Sequence, residues 1–306
     1  MITKQTPKVA VLMATYNGKQ WLTAQIDSIF QQVGVNLILF VSDDGSTDGT
    51  IEYIKKLADL DSRVVVLPKI ERMGSAGKNF YRLIRDVDFS EFDYVTFVDQ
   101  DDIWHSNKLS SHVDLIRAND AEAASSNVVA FWPDGRQKLI VKSQAQKDFD
   151  FLFESAGPGC TFLMTPWLVN QVKQQLLTNP VAADVELHDW LTYAICRAHN
   201  KRWVIDPTPS MQYRQHHANV VGANFGLKPA LTRLKKIKSG WYRYQVTLIS
   251  RVAGSINKKQ DLLDFQELVQ SNNPIDQFRL IPYALRGRRK LIDRAVLMLT
   301  ILFFIF

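Results

Sequence analysis

The sequence predicts an α/β fold: a sheet covered by helices, followed by a basic, mainly helical tail. Three observations carry this prediction. Short apolar runs recur at 9–13, 37–41, 63–67 and 94–98. Segments of helical character separate the early runs. Polar clusters rich in Asp, Asn and Gly follow the first, second and fourth of them. Strands that alternate with helices pair in parallel, and such sheets bind ligands beyond the carboxyl ends of their strands.

Taken in order, VAVLM at 9–13 reads as a buried strand that runs into the turn Thr15-Tyr16-Asn17-Gly18, with a helix from Lys19 to Gln31. LILFV at 37–41 is a second strand, ending in Ser42-Asp43-Asp44-Gly45-Ser46. Thr47-Asp48 start a helix through Leu60, where the carboxylate of Asp48 suits the positive end of the helix. RVVVL at 63–67 and YVTFV at 94–98 are the third and fourth strands, the latter ending in Asp99-Gln100-Asp101-Asp102. Residues 125–131 and 160–165 have strand character and 166–177 and 186–199 helical character. Residues 202–213 are short extended pieces broken by Pro207 and Pro209. A boundary near Gly222–Lys228 divides residues 1–226 from a C-terminal region at 227–306.

Charge divides the chain at the same place. Its 306 residues carry a net charge of +6, yet Leu227–Phe306 alone holds 15 Lys and Arg against 5 Asp and Glu, leaving 22 against 26 in the body. The acidic body and apolar terminus speak against a nucleic-acid binder, which needs a basic face. Two cysteines, Cys160 and Cys196, without metal-like spacing, argue against a disulfide scaffold and fit a reducing, cytoplasmic compartment. The opening MITKQTPKVAVLM reads without a signal peptide. The last twelve residues, 295–306, hold eleven apolar side chains and one threonine, too few to span a bilayer. Arg286-Gly287-Arg288-Arg289-Lys290 lies just upstream. Such a segment suits peripheral contact with an anionic leaflet, and equally a terminal helix buried against protein. Lys235-Lys236 and Lys258-Lys259 read as solvated.

The chemistry concentrates after the fourth strand. Asp99 and Asp101, two residues apart at a strand end, are expected on one side of it, with Asp102 as a third carboxylate. Carboxylates this close repel unless a cation joins them or some take protons. Oxygen ligands suit Mg²⁺ or Mn²⁺, which also grips phosphates and neutralises a departing diphosphate. The same residues equally suit an acidic turn. Asp43 can accept the N3–H of a uracil or thymine ring, or close its own turn; Asp44-Gly45 is expected to serve the turn. Thr15, Tyr16 and Asn17 can meet a base or ribose, or form an ordinary loop.

Together ATYNG (14–18), SDDGSTD (42–48) and VDQDDIW (98–104) resemble family 2 glycosyltransferases of the GT-A fold, in spacing and order, over roughly residues 7–220. The resemblance implies a Rossmann-like mixed sheet with flanking helices and an inverting transfer from a nucleotide-sugar donor. It places Asp43 at the base, Asp99 near ribose or metal, and Asp101 on the metal. The form Asp-Gln-Asp-Asp-Ile-Trp, with His188-Asp189-Trp190 and Tyr213-Arg214-Gln215-His216-His217 before Asn219-Val220-Val221-Gly222, is similar to bacterial rhamnosyltransferases that use dTDP-L-rhamnose to build surface polysaccharides. UDP-hexose and UDP-N-acetylhexosamine transferases, and a non-catalytic nucleotide-sugar sensor, are the alternatives.

An inverting transfer needs a base for the acceptor hydroxyl. The family carries that carboxylate at the start of a late helix, which points to Asp189, with Glu186 and Asp184 as rivals. Members often have Glu-Asp here, whereas His188 precedes Asp189. The helix dipole is expected to keep Asp189 ionised and only mildly basic. Gly157-Pro158-Gly159-Cys160-Thr161 permits close backbone approach to an acceptor, or is a plain turn. Cys160 reads as a packing residue, and Trp104 and Trp190 as core. Arg214 has the fork geometry for a diphosphate, and the resemblance gives His216 or His217 a part in the metal site; a solvated loop is the alternative. The partners expected are a nucleotide-sugar donor and a lipid-linked or oligosaccharide acceptor at the inner face of the plasma membrane.

Overall fold

The computed structural model describes residues 5–216 and 238–306. His217, the stretch Asn219-Val220-Val221-Gly222, Lys235-Lys236 and the expected boundary at 222–228 lie outside them. The apolar runs form β1 (Lys8–Thr15), β2 (Asn36–Asp43), β3 (Val64–Val66) and β4 (Tyr94–Val98). Between them lie α1 (Lys19–Phe30), α2 (Thr50–Leu60) and α3 (Ala76–Asp86). The middle of the chain adds β5 (Ile103–Trp104), α4 (Lys108–Asn119), β6 (Ala123–Ser126), β7 (Val128–Phe131), β8 (Gln137–Ile140) and β9 (Leu163–Met164). It continues with α5 (Pro166–Thr178), α6 (Pro180–Ala183), α7 (His188–Ala198), β10 (Trp203–Asp206) and β11 (Met211–Arg214). The arm after residue 240 is helical: α8 (Trp241–Ile256), α9 (Gln260–Gln270), α10 (Pro274–Arg279), α11 (Ile281–Gly287) and α12 (Leu291–Leu302).

The main sheet has seven strands in the order β10-β6-β9-β4-β1-β2-β3. β1 pairs in parallel with both β2 and β4, as the alternation with helices predicts, whereas β9 runs antiparallel between β4 and β6. The strand expected at 160–165 is therefore only Leu163–Met164, because Gly159–Thr161 winds into a 3₁₀ turn first. The single strand expected at 125–131 is two strands in different sheets. The break falls at Asn127, whose side chain accepts from Lys142 N and Ser143 N and donates to Pro207 O at 2.7 Å. β7 then joins a four-stranded sheet of order β5-β11-β7-β8. Helix α2 starts at Thr50, not at Thr47-Asp48; Asp48 lies ahead of it and accepts from Thr50 N and Lys19 N.

Pleating sorts the buried strand residues onto two faces. Val9, Val11 and Met13 of β1 pack with α1 and α4 residues such as Leu22, Ile26 and Val113. Ala10 and Leu12 face the larger cluster with Phe80, Phe97, Tyr193 and Trp190. The C-terminal arm joins that second cluster through Val246, Ile249, Phe265, Leu280, Leu297 and Ile301. Each such fully buried aliphatic side chain contributes roughly 1.5–3 kcal/mol. Helix α12 therefore docks one face on the body. Its other face leaves Leu291, Ile292, Val296, Leu299 and Phe303 exposed, Ile292 at 77%. Among the described residues no helix is long and apolar enough to cross a membrane.

Candidate active site

Parallel pairing brings the carboxyl ends of β1, β2 and β4 together: Thr15 stands opposite Asp43, and Met13 opposite Val98. The loops that follow are tied to each other. Asp43 closes its own turn by accepting from Gly45 N (3.1 Å) and Ser46 N (2.9 Å), and it also accepts from the hydroxyls of Thr15 (2.9 Å) and Ser46. The turn is thus held by Asp43 and not by Asp44, which is buried and receives Met73 N and Gly74 N from the next loop. Four donors match the roughly four lone-pair sites of a carboxylate. A further donor would reach Asp43 only when the Thr15 or Ser46 hydroxyl turned away.

Asn17, in a left-handed conformation, donates its N–H to Ser46 Oγ and accepts from Thr47 N, both at 2.8 Å. Tyr16 is clamped to the loop after β4: its N–H donates to Gln100 Oε1 and its carbonyl accepts from Gln100 Nε2, each at 2.9 Å. Gly18 makes this possible, since a Cβ there would sit 2.1 Å from Gln100 Oε1. The Tyr16 ring is exposed and lies under the Arg72 guanidinium at 4.3 Å.

Strand alternation does not continue past Val98, so Asp99 and Asp101 do not simply share a side. One carboxylate oxygen each of Asp99 and Asp102 lies with Cys160 Sγ in a cluster spanning no more than 4.8 Å. Asp101 turns to His216, whose Nε2 is 2.7 Å from Asp101 Oδ2 and whose ring stacks on Trp21 at 3.9 Å. Arg214 binds the same motif twice, from its N–H to Asp102 Oδ1 (2.9 Å) and from Nε to the Asp101 carbonyl (2.7 Å). Burial, then the Asp101 charge, raises Asp99 to about 7; the same causes push Asp102 well above its ordinary range. Burial, reinforced by these carboxylates, keeps the Cys160 thiol protonated.

These residues fit a hard divalent cation. Burial, and then the neighbouring carboxylates, push Asp99 and Asp102 toward the protonated form, and the buried Asp102 Oδ2 has no hydrogen-bond partner. Asp99, Asp101 and Asp102 offer oxygens, with His216 beside Asp101, and the protonated Cys160 is the poorest donor of the group. On the protein side lies a residue that the sequence did not reveal. Lys108 is fully buried, stacks its ammonium on Trp104 at 3.9 Å and is lowered to about 7 by burial while Asp102 pulls it upward. Nothing in an amphipathic reading of α4 marks a lysine as inward-facing; with His112 also buried, the polar residues hide the helix's apolar period.

The other wall carries Asp189, second residue of α7. Its carboxylate accepts from Trp190 N at 2.8 Å. Enclosure raises it to about 6, against smaller opposing effects of that bond, the Lys142 charge and the Ser155 hydroxyl. The expectation of a mildly basic, dipole-stabilised carboxylate is therefore corrected: desolvation outweighs the helix terminus. Asp189 is near enough that its charge also raises Asp99. The rivals are elsewhere engaged or open: Glu186 accepts from Trp241 Nε1 at 2.7 Å, and Asp184 is exposed. His188 points inward, stacked on Phe80 at 4.0 Å with Phe97 edge-on at 5.0 Å, and burial lowers it to about 3. Gly159 packs against this turn; a Cβ there would lie 2.6 Å from His188 Nε2 and 3.2 Å from Asp189 Cβ. Trp104 and Trp190 are core residues, each 3% exposed. A separate cleft of about 770 Å³, lined by Arg197, Lys201 and Arg286, contains none of these residues.

A mixed sheet with an acidic cluster at the carboxyl ends of its parallel strands, and a further carboxylate with a raised pKa nearby, suits a group-transfer enzyme. Residues 10–164 match the model of glycosyl transferase family 2, and the chain belongs to that family. It is 44% identical over 240 residues, 78% of this chain and 83% of the relative, to the dTDP-rhamnosyl transferase RfbG of Shigella flexneri. It is 28% identical, over 53% of this chain and 62% of the relative, to the Escherichia coli UDP-Glc:α-D-GlcNAc-diphosphoundecaprenol β-1,3-glucosyltransferase WfgD. The fold is shared with Staphylococcus aureus TarS 1-349 (TM-score 0.59, 16% identity, 96% of this chain and 79% of that one). It is shared as well with the Pyrobaculum calidifontis mannosyltransferase PcManGT, solved with GDP-Man and Mn²⁺ (TM-score 0.55, 17% identity, 99% and 82%). The fold is GT-A, and the protein is an inverting glycosyltransferase of polysaccharide synthesis.

Proposed function

We propose that the protein transfers L-rhamnose from dTDP-L-rhamnose to a hydroxyl of a lipid-linked or oligosaccharide acceptor. The donor assignment is supported by the identity to RfbG over most of both chains. Residues 1–226 act as the catalytic domain and 227–306 as an arm on it. The observation that carries the mechanism is the proximity of a crowded carboxylate cluster to an Asp189 carboxyl that burial raises to about 6 and whose charge is felt by Asp99.

Asp43 takes the thymine N3–H once a hydroxyl of its turn rotates away, and Thr15, Tyr16 and Asn17 line the nucleoside. Asp99, Asp101, Asp102 and His216 would hold Mg²⁺ or Mn²⁺, which when bound would supply positive charge to offset that of a diphosphate leaving group. Arg214 buttresses that motif and faces the diphosphate. Asp189 accepts the proton of the acceptor hydroxyl, whose oxygen bonds to the anomeric carbon as the bond to the diphosphate oxygen breaks on the opposite face. The anomeric configuration inverts, and nucleoside diphosphate departs. A base near 6 is ionised at neutral pH yet more proton-hungry than an ordinary aspartate. The exposed apolar face of α12, flanked by exposed Arg286 and Lys290, supports contact with an anionic membrane surface at the cytoplasmic side. Arg288 and Arg289 take no part in it, being turned into the protein.

The test is transfer from dTDP-rhamnose, UDP-glucose and UDP-N-acetylglucosamine by the wild type and Asp189→Asn, with and without chelator. Turnover is expected with dTDP-rhamnose. It should fall about 10²–10⁴-fold in Asp189→Asn while the donor still binds, and it should vanish in chelator until Mn²⁺ or Mg²⁺ is restored. Turnover of a UDP-sugar alone, or full activity in chelator or in Asp189→Asn, overturns the corresponding part.

A further inference from the structure

The C-terminal arm reaches the active site along an unexpected route. Segment 286–289 is fastened residue by residue to segment 148–155. Arg286 pairs with Asp148 at 2.8 Å, and its carbonyl accepts from Phe149 N. Gly287 lies so close to the Phe153 ring that a Cβ would come within 2.3 Å. Arg288 donates to the Phe153 carbonyl at 2.7 Å. Arg289, its side chain fully buried, donates from Nη2 to the Ser155 carbonyl (2.5 Å) and to Glu154 (3.3 Å). Its own N–H binds Glu154 Oε1 at 2.7 Å, and Nη1 approaches Asp150 at 3.5 Å, a carboxylate that Arg197 neutralises from the other side.

The segment so held ends at the acceptor wall. The Ser155 hydroxyl donates to the Gly157 carbonyl at 3.0 Å and so ties the turn that leads into Gly159, where a Cβ would lie 3.2 Å from Asp189 Cβ. Trp190, next to Asp189, donates its indole N–H to Phe151 O at 2.9 Å within the same segment. We propose that Arg289 is a positioning residue for sugar transfer: through its bond to the Ser155 carbonyl it fixes the turn from Ser155 to Gly159 against Asp189 and thereby sets where the base meets the acceptor. The inference rests on the reading of Asp189 as base. A buried guanidinium with carboxylates on two sides has the rigidity for this task, because its planar fork fixes several bonds at once.

The experiment uses the full chain with Ser155→Ala, Arg289→Gln, Arg289→Lys and the Ser155→Ala/Arg289→Gln double variant, measuring kcat, donor Kd by calorimetry, thermal midpoint and the pH dependence of kcat. Ser155→Ala is expected to lower kcat about tenfold and Arg289→Gln about 10²-fold, the cost of a misplaced reacting group, with donor Kd unchanged. The double variant should be no slower than Arg289→Gln. Asp189 and the titratable groups facing it, Lys142, Asp99 and Tyr81, are intact in every variant, so the acid limb of kcat should keep its position while the plateau falls. Should Arg289→Gln not fold, Ser155→Ala and Arg289→Lys decide. Wild-type kcat in Ser155→Ala, or additive losses in the double variant, overturn the proposal. If Asp189→Asn retains turnover, the reading of the base has failed; if Asp189→Asn is inactive while the Ser155 and Arg289 variants are not, only the positioning role has.

Discussion

The two sides of the proposed active site, a donor wall and an acceptor wall, are built on different principles. The donor wall is made of loops that follow β1, β2 and β4, and its residues bond mostly to neighbours in those same loops: Asp43 to Thr15 and Ser46, Asn17 to Ser46 and Thr47, Tyr16 to Gln100. The acceptor wall has no such self-sufficiency. Asp189 stands at a helix start, Gly159 presses on it from a 3₁₀ turn, and the segment between Asp148 and Ser155 is held by an arm more than 130 residues further on. A wall of short loops transmits local damage to donor binding. A wall assembled at long range transmits it to the chemical step.

The sharpest way to break this comparison is a matched pair of glycine substitutions. In Gly159→Ala the new methyl meets a His188 ring locked between phenylalanines and the backbone-fixed Asp189 Cβ. Neither can yield without moving the base, so kcat should fall about 10²-fold with donor Kd unchanged. In Gly18→Ala the methyl meets the tip of Gln100, which can swing away. What is lost is the two-bond clamp on Tyr16, at about 1 kcal/mol per bond, so donor affinity should weaken about tenfold with kcat nearly retained. Calorimetry and initial rates on the two variants give the answer; the opposite partition would mean that the walls do not divide the labour.

Legibility in the sequence follows the same division. The α/β architecture, β1, β2 and β4, and the donor loops were readable because strand, turn and acidic cluster are contiguous, and periodicity is a local signal. Asp189 was reached through the family resemblance, not through spacing. Lys108, Trp21, Ser155 and Arg289 were not visible at all. Trp21, Ser155 and Arg289 meet partners far along the chain, Lys108 is turned onto the nearby Trp104, and a buried lysine or arginine looks in sequence like a solvated one. Arg288 and Arg289 read as membrane-facing charge, yet both are directed at segment 153–155. Helix α3 escaped notice for a related reason: Asn79 and Arg82 on its buried face interrupt the apolar period.

The pH dependence separates the walls by a smaller effect. A base must be unprotonated to work, so kcat/KM should fall tenfold per pH unit below about 6, the value to which burial lifts Asp189. Asp99 near 7 would impose a limb too, but a metal competes with protons for its ligands. Raising Mn²⁺ should therefore shift any limb that belongs to the Asp99 cluster and leave that of Asp189 in place. A limb near 6 that moves with metal concentration would assign the titration to the donor wall instead.

The smallest effect concerns stability. Asp189 is lifted from its ordinary 3.8 to about 6, so the folded enzyme holds this proton more tightly than the unfolded chain. Below the unfolded value both states are protonated and the site costs nothing. As pH rises through the interval, the unfolded chain loses the proton first, and stability declines until the folded carboxyl has ionised as well. Asparagine has no charge to desolvate. In chelator, where no cation compensates, Asp189→Asn should match the wild-type thermal midpoint below pH 4 and exceed it increasingly up to about pH 6, levelling off at about 1–2 kcal/mol once partial solvent access is allowed for. The substitution would then stabilise the fold while abolishing transfer, as expected of a carboxylate held in a dry site for its reactivity. A midpoint difference that is constant across this range would show that the folded protein does not perturb Asp189, and the acceptor wall would lose its electrostatic distinction from the donor wall.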